Sequence, residues 1–298
     1  MRVYPALHDV DFVGKLYTDT PWNQVVRKIT RQPGLDFPES EVAAWVRTEE
    51  TGLQRPFQLL SSEDFGGNPL QLWSDSRRTA DRLGQLFPGA KILLVVRRHD
   101  SLIESFYKQY VQIGGTLSLE GFLTQRTQLH GLDYEILRFD RLAAYYSQVF
   151  GAERVFVLPF EMMGLDHQLF ADEVCRVIGC RAVTLKKEEM AHVRSGFSVR
   201  YCAIVRRLNL LGRNSYSPIG LFDRPSSAEK IGFRSPYHLG RRVADALDGI
   251  FPLRPLMNAA QRREIAEYYA ESNAALVQRF PLLAEFGYGR AAASAAAD

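Results

Sequence analysis

Apolar positions along this chain gather into short runs separated by stretches of helical periodicity. Over residues 1–50 the pattern is mixed: Pro5, Pro21, Pro33 and Pro38 interrupt it, and short helices are predicted over 22–29 and from 39 to 46. From Arg55 the pattern sharpens. Phe57-Gln58-Leu59-Leu60 is a short apolar run that gives way to Ser61-Ser62-Glu63 and then Gly66-Gly67-Asn68-Pro69, which reads as a strand followed by a loop. Residues 74–86 carry a helical pattern closed by Phe87-Pro88-Gly89. Residues 91–96 are a nearly continuous run of leucine and β-branched side chains, the mark of a strand buried on both faces.

Beyond Arg97-Arg98-His99-Asp100, either Asp100 or Ser101 is placed to cap a helix in which Ile103, Phe106, Tyr107 and Tyr110 recur at helical spacing. Gly114-Gly115 stops it. Helices are predicted over 116–127, 141–150 and 169–178, the last with Gly179 at its end. Arg154-Val155-Phe156-Val157-Leu158-Pro159 is a second strand of the buried type. A basic amphipathic helix covers 197–211 and a closing helix 259–280. Residues 212–240, rich in Gly, Ser, Pro, Arg and Tyr, exceed an ordinary connection, and such loops are functional or disordered. The alanine-rich residues 290–298 are low in complexity, so a disordered tail is expected there. Strands alternating with helices imply an α/β fold: three layers, a parallel sheet flanked by helices. No repeat or composition shift marks a second domain, so residues 1–289 read as one domain.

Composition narrows the function classes. At 298 residues, 46% hydrophobic and 24% charged, the chain has ample material for a core and is not largely disordered. Lysine and arginine number 37 against 34 acidic residues, and a formal charge of +3 argues against a dedicated nucleic-acid or acidic-membrane binder. The run from Ile92 to Val96 is far short of a membrane span, and Met-Arg-Val-Tyr-Pro at the start lacks a signal peptide's apolar region, so a soluble cytoplasmic protein is expected. Cys175, Cys180 and Cys202 are odd in number and form no CxxC, and read as buried structural thiols of a reducing compartment rather than as a disulfide or zinc site. The six histidines are scattered with no HxxxH pair, so no metal is expected.

In parallel α/β sheets, ligands bind beyond the carboxyl ends of the strands. Three segments put polar groups there: Ser61-Ser62-Glu63 after the first strand, Arg97 after the second and Glu161 after the third. Arg97, next to a helix start, offers a two-pronged fork for an anion beside backbone N–H groups. Ser105, eight residues on, adds a hydroxyl donor. From the residues alone two readings stay open: an anion site, or a surface charge with a small packing residue.

The segment KILLVVRRHDSLIESFYKQYV resembles the second nucleotide-binding element of the sulfotransferases, enzymes that use 3′-phosphoadenosine 5′-phosphosulfate (PAPS). In that family an apolar strand ends in an arginine, and a serine eight residues later contacts the donor's 3′-phosphate; Arg97 and Ser105 fall on those positions. LFPGAK, RVFVLPFEMM and ESNAALVQRFPLLAEFGY are similar to neighbouring family segments, so the likeness runs over most of 55–289. It implies a P-loop NTPase-like sulfotransferase fold, PAPS as co-substrate, no metal, and a hydroxyl or amine acceptor on a carbohydrate, lipid or small molecule. Glu63 stands where the family places its catalytic base: cytosolic members have histidine there, and some carbohydrate-directed relatives glutamate. The other reading of Glu63 is a cap partner or loop acid. Ser61 and Ser62 read as turn residues.

The sequence also departs from the family. Neither a KxGTT segment, which cradles the 5′-phosphosulfate, nor GxxxxGK[ST] occurs, and Gly14-Lys15 stands without the preceding glycine. Two explanations compete: an N-terminal portion present in a longer gene product, or a member that has lost donor binding. In the second case the lysine that would stabilise the bridging charge is absent, and the alternative function is a non-catalytic relative that binds a phosphorylated or sulfated ligand. The family's third nucleotide element, an Arg-Lys-Gly loop, is not visible as such. Lys230 or Arg234, in the basic stretch 224–242, would close over the nucleotide; the competing reading is a basic surface loop. The helix carrying Arg200, Arg206 and Arg207 is a solvated face or the lining of an anionic acceptor cleft. A nucleotide-dependent kinase is disfavoured, because neither a Walker lysine nor a magnesium-binding pair is evident.

Overall fold

A computed structural model describes residues 7, 9–13, 21–67, 75–124, 134–186, 198–213, 220–223, 236–251 and 255–289. In chain order the elements are β1 (Val10–Val13), α1 (Pro21–Arg31), α2 (Glu39–Glu50), β2 (Phe57–Leu60), α3 (Ser76–Leu86), β3 (Ile92–Val96), α4 (His99–Gln112), α5 (Leu119–Thr124), α6 (Phe139–Phe150), β4 (Val155–Pro159), α7 (Phe160–Leu165), α8 (His167–Ile178), α9 (Val199–Asn209), β5 (Gly212–Arg213), β6 (Phe222–Asp223), α10 (Pro236–Ile250), α11 (Ala259–Tyr268) and α12 (Ala270–Arg279). Two compact units divide the chain: residues 1–98, 135–193 and 269–291 form the first, and 99–134, 194–268 and 292–298 the second.

The first unit is α/β. β1 pairs in parallel with β2, Val10 opposite Phe57 and Val13 opposite Leu60. β3 pairs in parallel with β4, Ile92 opposite Val155 and Val96 opposite Pro159. The alternation of side chains along each strand feeds two separate cores. Phe12, Phe57, Leu59, Leu93 and Leu158 join Met162 of α7 and Phe170, Val174 and Cys175 of α8. Val13, Leu60, Ile92, Leu94 and Val155 join Trp22 and Ile29 of α1, Val42 of α2, Leu83 of α3 and Tyr146 of α6. Helices therefore cover both faces of the strands, the three-layer arrangement expected from the alternating pattern. Among the described residues the ladders are two-stranded and all parallel.

Packing rather than propensity holds these helices. α1 opens with Pro21 at its first position, where no N–H is needed, and then carries Val25, Val26, Ile29 and Thr30, β-branched residues that disfavour a helix by a few tenths of a kcal/mol each. Val25 and Ile29 are fully buried, each gaining roughly 1.5–3 kcal/mol, so burial wins. A strap fixes the register of β1 on β2. The Asp11 carboxylate accepts from the N–H groups of Gln54 (2.8 Å) and Arg55 (2.9 Å), while the Arg55 guanidinium donates to the carbonyls of Leu7 (3.1 Å) and Val10 (2.8 Å).

The second unit is largely helical, built from α4, α5, α9, α10 and α11 with the short parallel pair β5–β6. A buried asparagine ties its elements together. Asn209, fully buried, donates to the carbonyls of Val111 (2.8 Å) and Gly115 (2.9 Å) and accepts from the Tyr237 hydroxyl (3.1 Å). Arg262 of α11 donates to Asp100 (2.6 Å) and Glu104 (2.5 Å) of α4.

Several elements differ from the sequence reading. β3 is not buried on both faces: Val95 is 36% exposed and only Val96 is fully covered, whereas β4 is buried along most of its length. α4 begins at His99, so Asp100 and Ser101 lie inside its first turn rather than capping it. The closing helix is two helices, broken at Tyr269. β1 and α10 were not foreseen. The latter occupies the end of the supposed long loop and runs on to Ile250. Gly179 does end α8, with φ +90°, the left-handed turn that glycine takes without strain. The tail 290–298 and Gly14-Lys15 lie outside the described residues.

Candidate functional site

The candidate site is assembled at the carboxyl ends of the parallel strands of the first unit. Because Val96 stands opposite Pro159, the residues that follow β3 and β4 come out side by side. Arg97 is half-buried, with its guanidinium carbon 5.0 Å from the centre of the Phe160 ring, a stacking arrangement that holds the fork in place. The backbone N–H of the exposed Arg98 donates to Glu161 Oε1 at 2.8 Å, and the buried Tyr288 hydroxyl donates to Glu161 Oε2 at 3.0 Å. Both carboxylate oxygens of Glu161 are thus spent on holding the β3 exit to the C-terminal segment. Burial pushes the Tyr288 phenol well above its usual range, and the neighbouring Glu161 charge adds to the effect while Arg98 and Arg97 oppose it. Tyr288 stays protonated as the donor.

After β2, the 3-10 turn Glu63–Gly66 carries the second set of polar groups. Ser62 caps it, its hydroxyl accepting from the Asp64 N–H at 3.2 Å, so Ser62 is the turn residue its sequence context implies. The Asp64 carboxylate pairs with Arg31, at the end of α1, at 3.0 Å. Gly67 closes the turn at φ +91°. The backbone of Glu63 begins this turn, and its side chain lies outside the described residues. Ser105 is exposed on α4, in the second unit. Lys230 and Arg234 fall outside the described residues.

Arg98, Glu161 and Tyr288 form the frame around Arg97, and only Glu161 carried a sequence signal, its position after a strand. Tyr288 is distant in the chain, and no local pattern could announce it. The exits of β3 and β4 bring Arg97 and Arg98 together with the Glu161 carboxylate. Among the described residues no group of three histidine, cysteine or acidic side chains is placed to hold a metal. Cys175 and Cys202 are buried, and burial raises their thiols to about 12 and about 11, away from nucleophilic use. Among the described residues no helix is long and apolar enough to cross a membrane.

Residues 75–183 match the family model described as the sulfotransferase family. Over that span, a little over a third of its length, the chain is similar to the sulfotransferase family. The match runs from the turn before α3 to the segment after α8, and so includes Arg97, Ser105 and Glu161. Glu63, Lys230 and Arg234 lie beyond its limits. Among solved structures, a crystal structure of a sulfotransferase from Alicyclobacillus acidocaldarius is similar, with 18% sequence identity and a TM-score of 0.43 over 63% of this chain and 82% of that one. No curated protein matches.

Proposed function

We propose that this chain is a PAPS-dependent sulfotransferase acting in the cytoplasm on a hydroxyl, or an amine, of a carbohydrate, lipid or small-molecule acceptor. The observation that carries the reading is the family match, whose span contains an arginine at the carboxyl end of a parallel strand and an exposed serine eight residues later on the following helix. Arg97 and Ser105 take the donor's 3′-phosphate, the guanidinium by its fork and the serine by its hydroxyl. Glu63 takes the proton of the acceptor hydroxyl, and Lys230 or Arg234 closes over the nucleotide. When bound, the donor supplies the sulfuryl group, which gains a bond to the acceptor oxygen as its bond to the phosphate oxygen breaks. Glu161 and Tyr288 position Arg97 without touching the reacting atoms.

Titration calorimetry of the chain with adenosine 3′,5′-bisphosphate tests this. Binding is expected for the unaltered protein and its loss for Arg97→Ala. Unchanged affinity in that variant sinks the assignment of Arg97. Glu63→Gln should bind the nucleotide normally while turnover falls about 10²–10⁴-fold. Nucleotide binding without any turnover in the unaltered chain points instead to a non-catalytic relative.

A further inference from the structure

A second feature of the first unit is a groove of about 520 Å³ between the end of α1, the segment leading into α2, and α3. That volume lies in the range of small-molecule sites, about 300–1,000 Å³. Arg77, Arg78 and Arg82 line it, together with Phe37, Asp81 and Glu39. The three guanidiniums are not equivalent. Arg82 is spoken for: buried beneath the groove, it donates to the carbonyls of Ile29 (2.8 Å), Gln32 (2.8 Å), Lys28 (3.2 Å) and Pro33 (3.2 Å) and lies 4.0 Å over the Phe37 ring. Burial, and after it the neighbouring charge of Arg78, lowers its pKa.

Arg78 is different. One of its terminal nitrogens donates to the Thr30 carbonyl at 3.1 Å and lies 3.7 Å from Asp75, but its Nε is buried and has no hydrogen-bond partner. A buried N–H donor without an acceptor is costly and rare in folded proteins. Arg77 stands beside it, exposed, with its guanidinium carbon 5.1 Å from the centre of the Tyr145 ring and its Nε donating to the Tyr145 hydroxyl at 3.1 Å. Tyr145 donates in turn to Asp81 Oδ1. The groove thus presents the exposed Arg77 guanidinium and the partly exposed Arg78 side chain, whose unpartnered Nε is buried behind its surface, with Glu39 also in the lining as an acceptor for hydroxyl groups.

We propose that this groove binds a hydroxylated organic anion, with its carboxylate or sulfate on Arg77 and Arg78. It rests on the sulfotransferase reading in one respect: the groove then receives the anionic end of the acceptor. The end of α1 supports that placement, because Thr30 meets Arg78 while the next residue, Arg31, meets Asp64 in the turn that begins with Glu63. Charge-assisted pairing of this kind weakens with added salt.

The test is calorimetric titration of the full chain with D-glucuronate and with its neutral counterpart D-glucose, at constant ionic strength. Glucuronate should bind and glucose should not. Affinity for glucuronate should fall at least tenfold in Arg77→Gln and in Arg78→Lys, which keeps its charge but loses the two-pronged guanidinium. Affinity for adenosine 3′,5′-bisphosphate should be unchanged in both. Arg77 is exposed, so its replacement leaves the fold intact and serves if Arg78 variants misfold. No glucuronate binding, equal binding of glucose, or full affinity in both variants overturns the proposal. Arg78-dependent glucuronate binding in a chain that binds no adenosine 3′,5′-bisphosphate upholds the groove and removes its role as an acceptor subsite.

Discussion

Arg82 stands in the middle of a helix whose pattern is polar, yet its side chain is only 4% exposed. Its partners lie some fifty residues earlier in the chain. They are the Ile29 carbonyl in the last turn of α1, where a helix leaves acceptors without intrahelical partners, and the Gln32 carbonyl just beyond it, and the negative end of the helix dipole favours a cation there. Arg82→Ala should therefore lower stability by about 1–3 kcal/mol, the cost of leaving such acceptors unpaired. A fall in the urea midpoint at unchanged slope would show it; no shift would mean that water replaces the guanidinium at these carbonyls. Arg97 was legible from sequence because a strand, an arginine and a helix start are contiguous. Arg82, Asp64 and Tyr288 were not, since what defines each is a partner brought near only by folding.

At the scale of elements, the connection from α4 to α5 shows how the helical unit is held. The Tyr110 hydroxyl accepts from the N–H groups of Thr116 (3.1 Å) and Leu117 (3.2 Å), Tyr107 donates to the Leu117 carbonyl (3.0 Å), and Asn209 holds Gly115 from α9. A side chain at Gly115 has no room, because its Cβ would fall 2.2 Å from the Tyr110 ring. Gly115→Ala should cost about 1–3 kcal/mol by overpacking, read as a drop in thermal midpoint. Wild-type stability in that variant would mean that the ring moves aside freely. Tyr107 gives a pH dependence. Burial, and to a lesser degree Cys202, pushes the Tyr107 hydroxyl up to about 12, and burial also raises Tyr146 and Tyr288. The unfolded chain ionises its tyrosines near pH 10, so it releases protons first. Stability is then complete below about pH 10 and is lost as pH rises toward 12. Denaturant midpoints across that window should fall, and less steeply in Tyr107→Phe; a flat profile would overturn this reading. The paired Gly114-Gly115 was visible in the sequence as a stop. The roles of Tyr107 and Tyr110 beside it were not, because their helical spacing describes packing equally well.

At the scale of the molecule, the alternation of apolar runs and helical stretches carried the architecture, because a strand covered on both faces and a one-sided helix leave different periodicities. It failed where the signal was short or diluted. β1 has four residues, with Asp11 among them pointing to the backbone of its neighbour, and α10 mixes exposed Leu239, Val243 and Ile250 with charges, so neither shows a clean period. What the pattern did place, the arginine at the mouth of β3, has a consequence for the whole chain. A ligand that binds only the folded state stabilises it by about 2.7 kcal/mol at a hundred times its dissociation constant. Adenosine 3′,5′-bisphosphate at that level should therefore raise the unfolding midpoint of the intact chain by several degrees. The shift should vanish in Arg97→Ala, whose own midpoint stays close to that of the unaltered protein because the side chain sits at a half-exposed strand end. Arg77→Gln should keep the full shift, because its guanidinium lies in the α1–α3 groove. A nucleotide shift that survives in Arg97→Ala but disappears in Arg77→Gln would move the nucleotide site from the β3 exit to that groove.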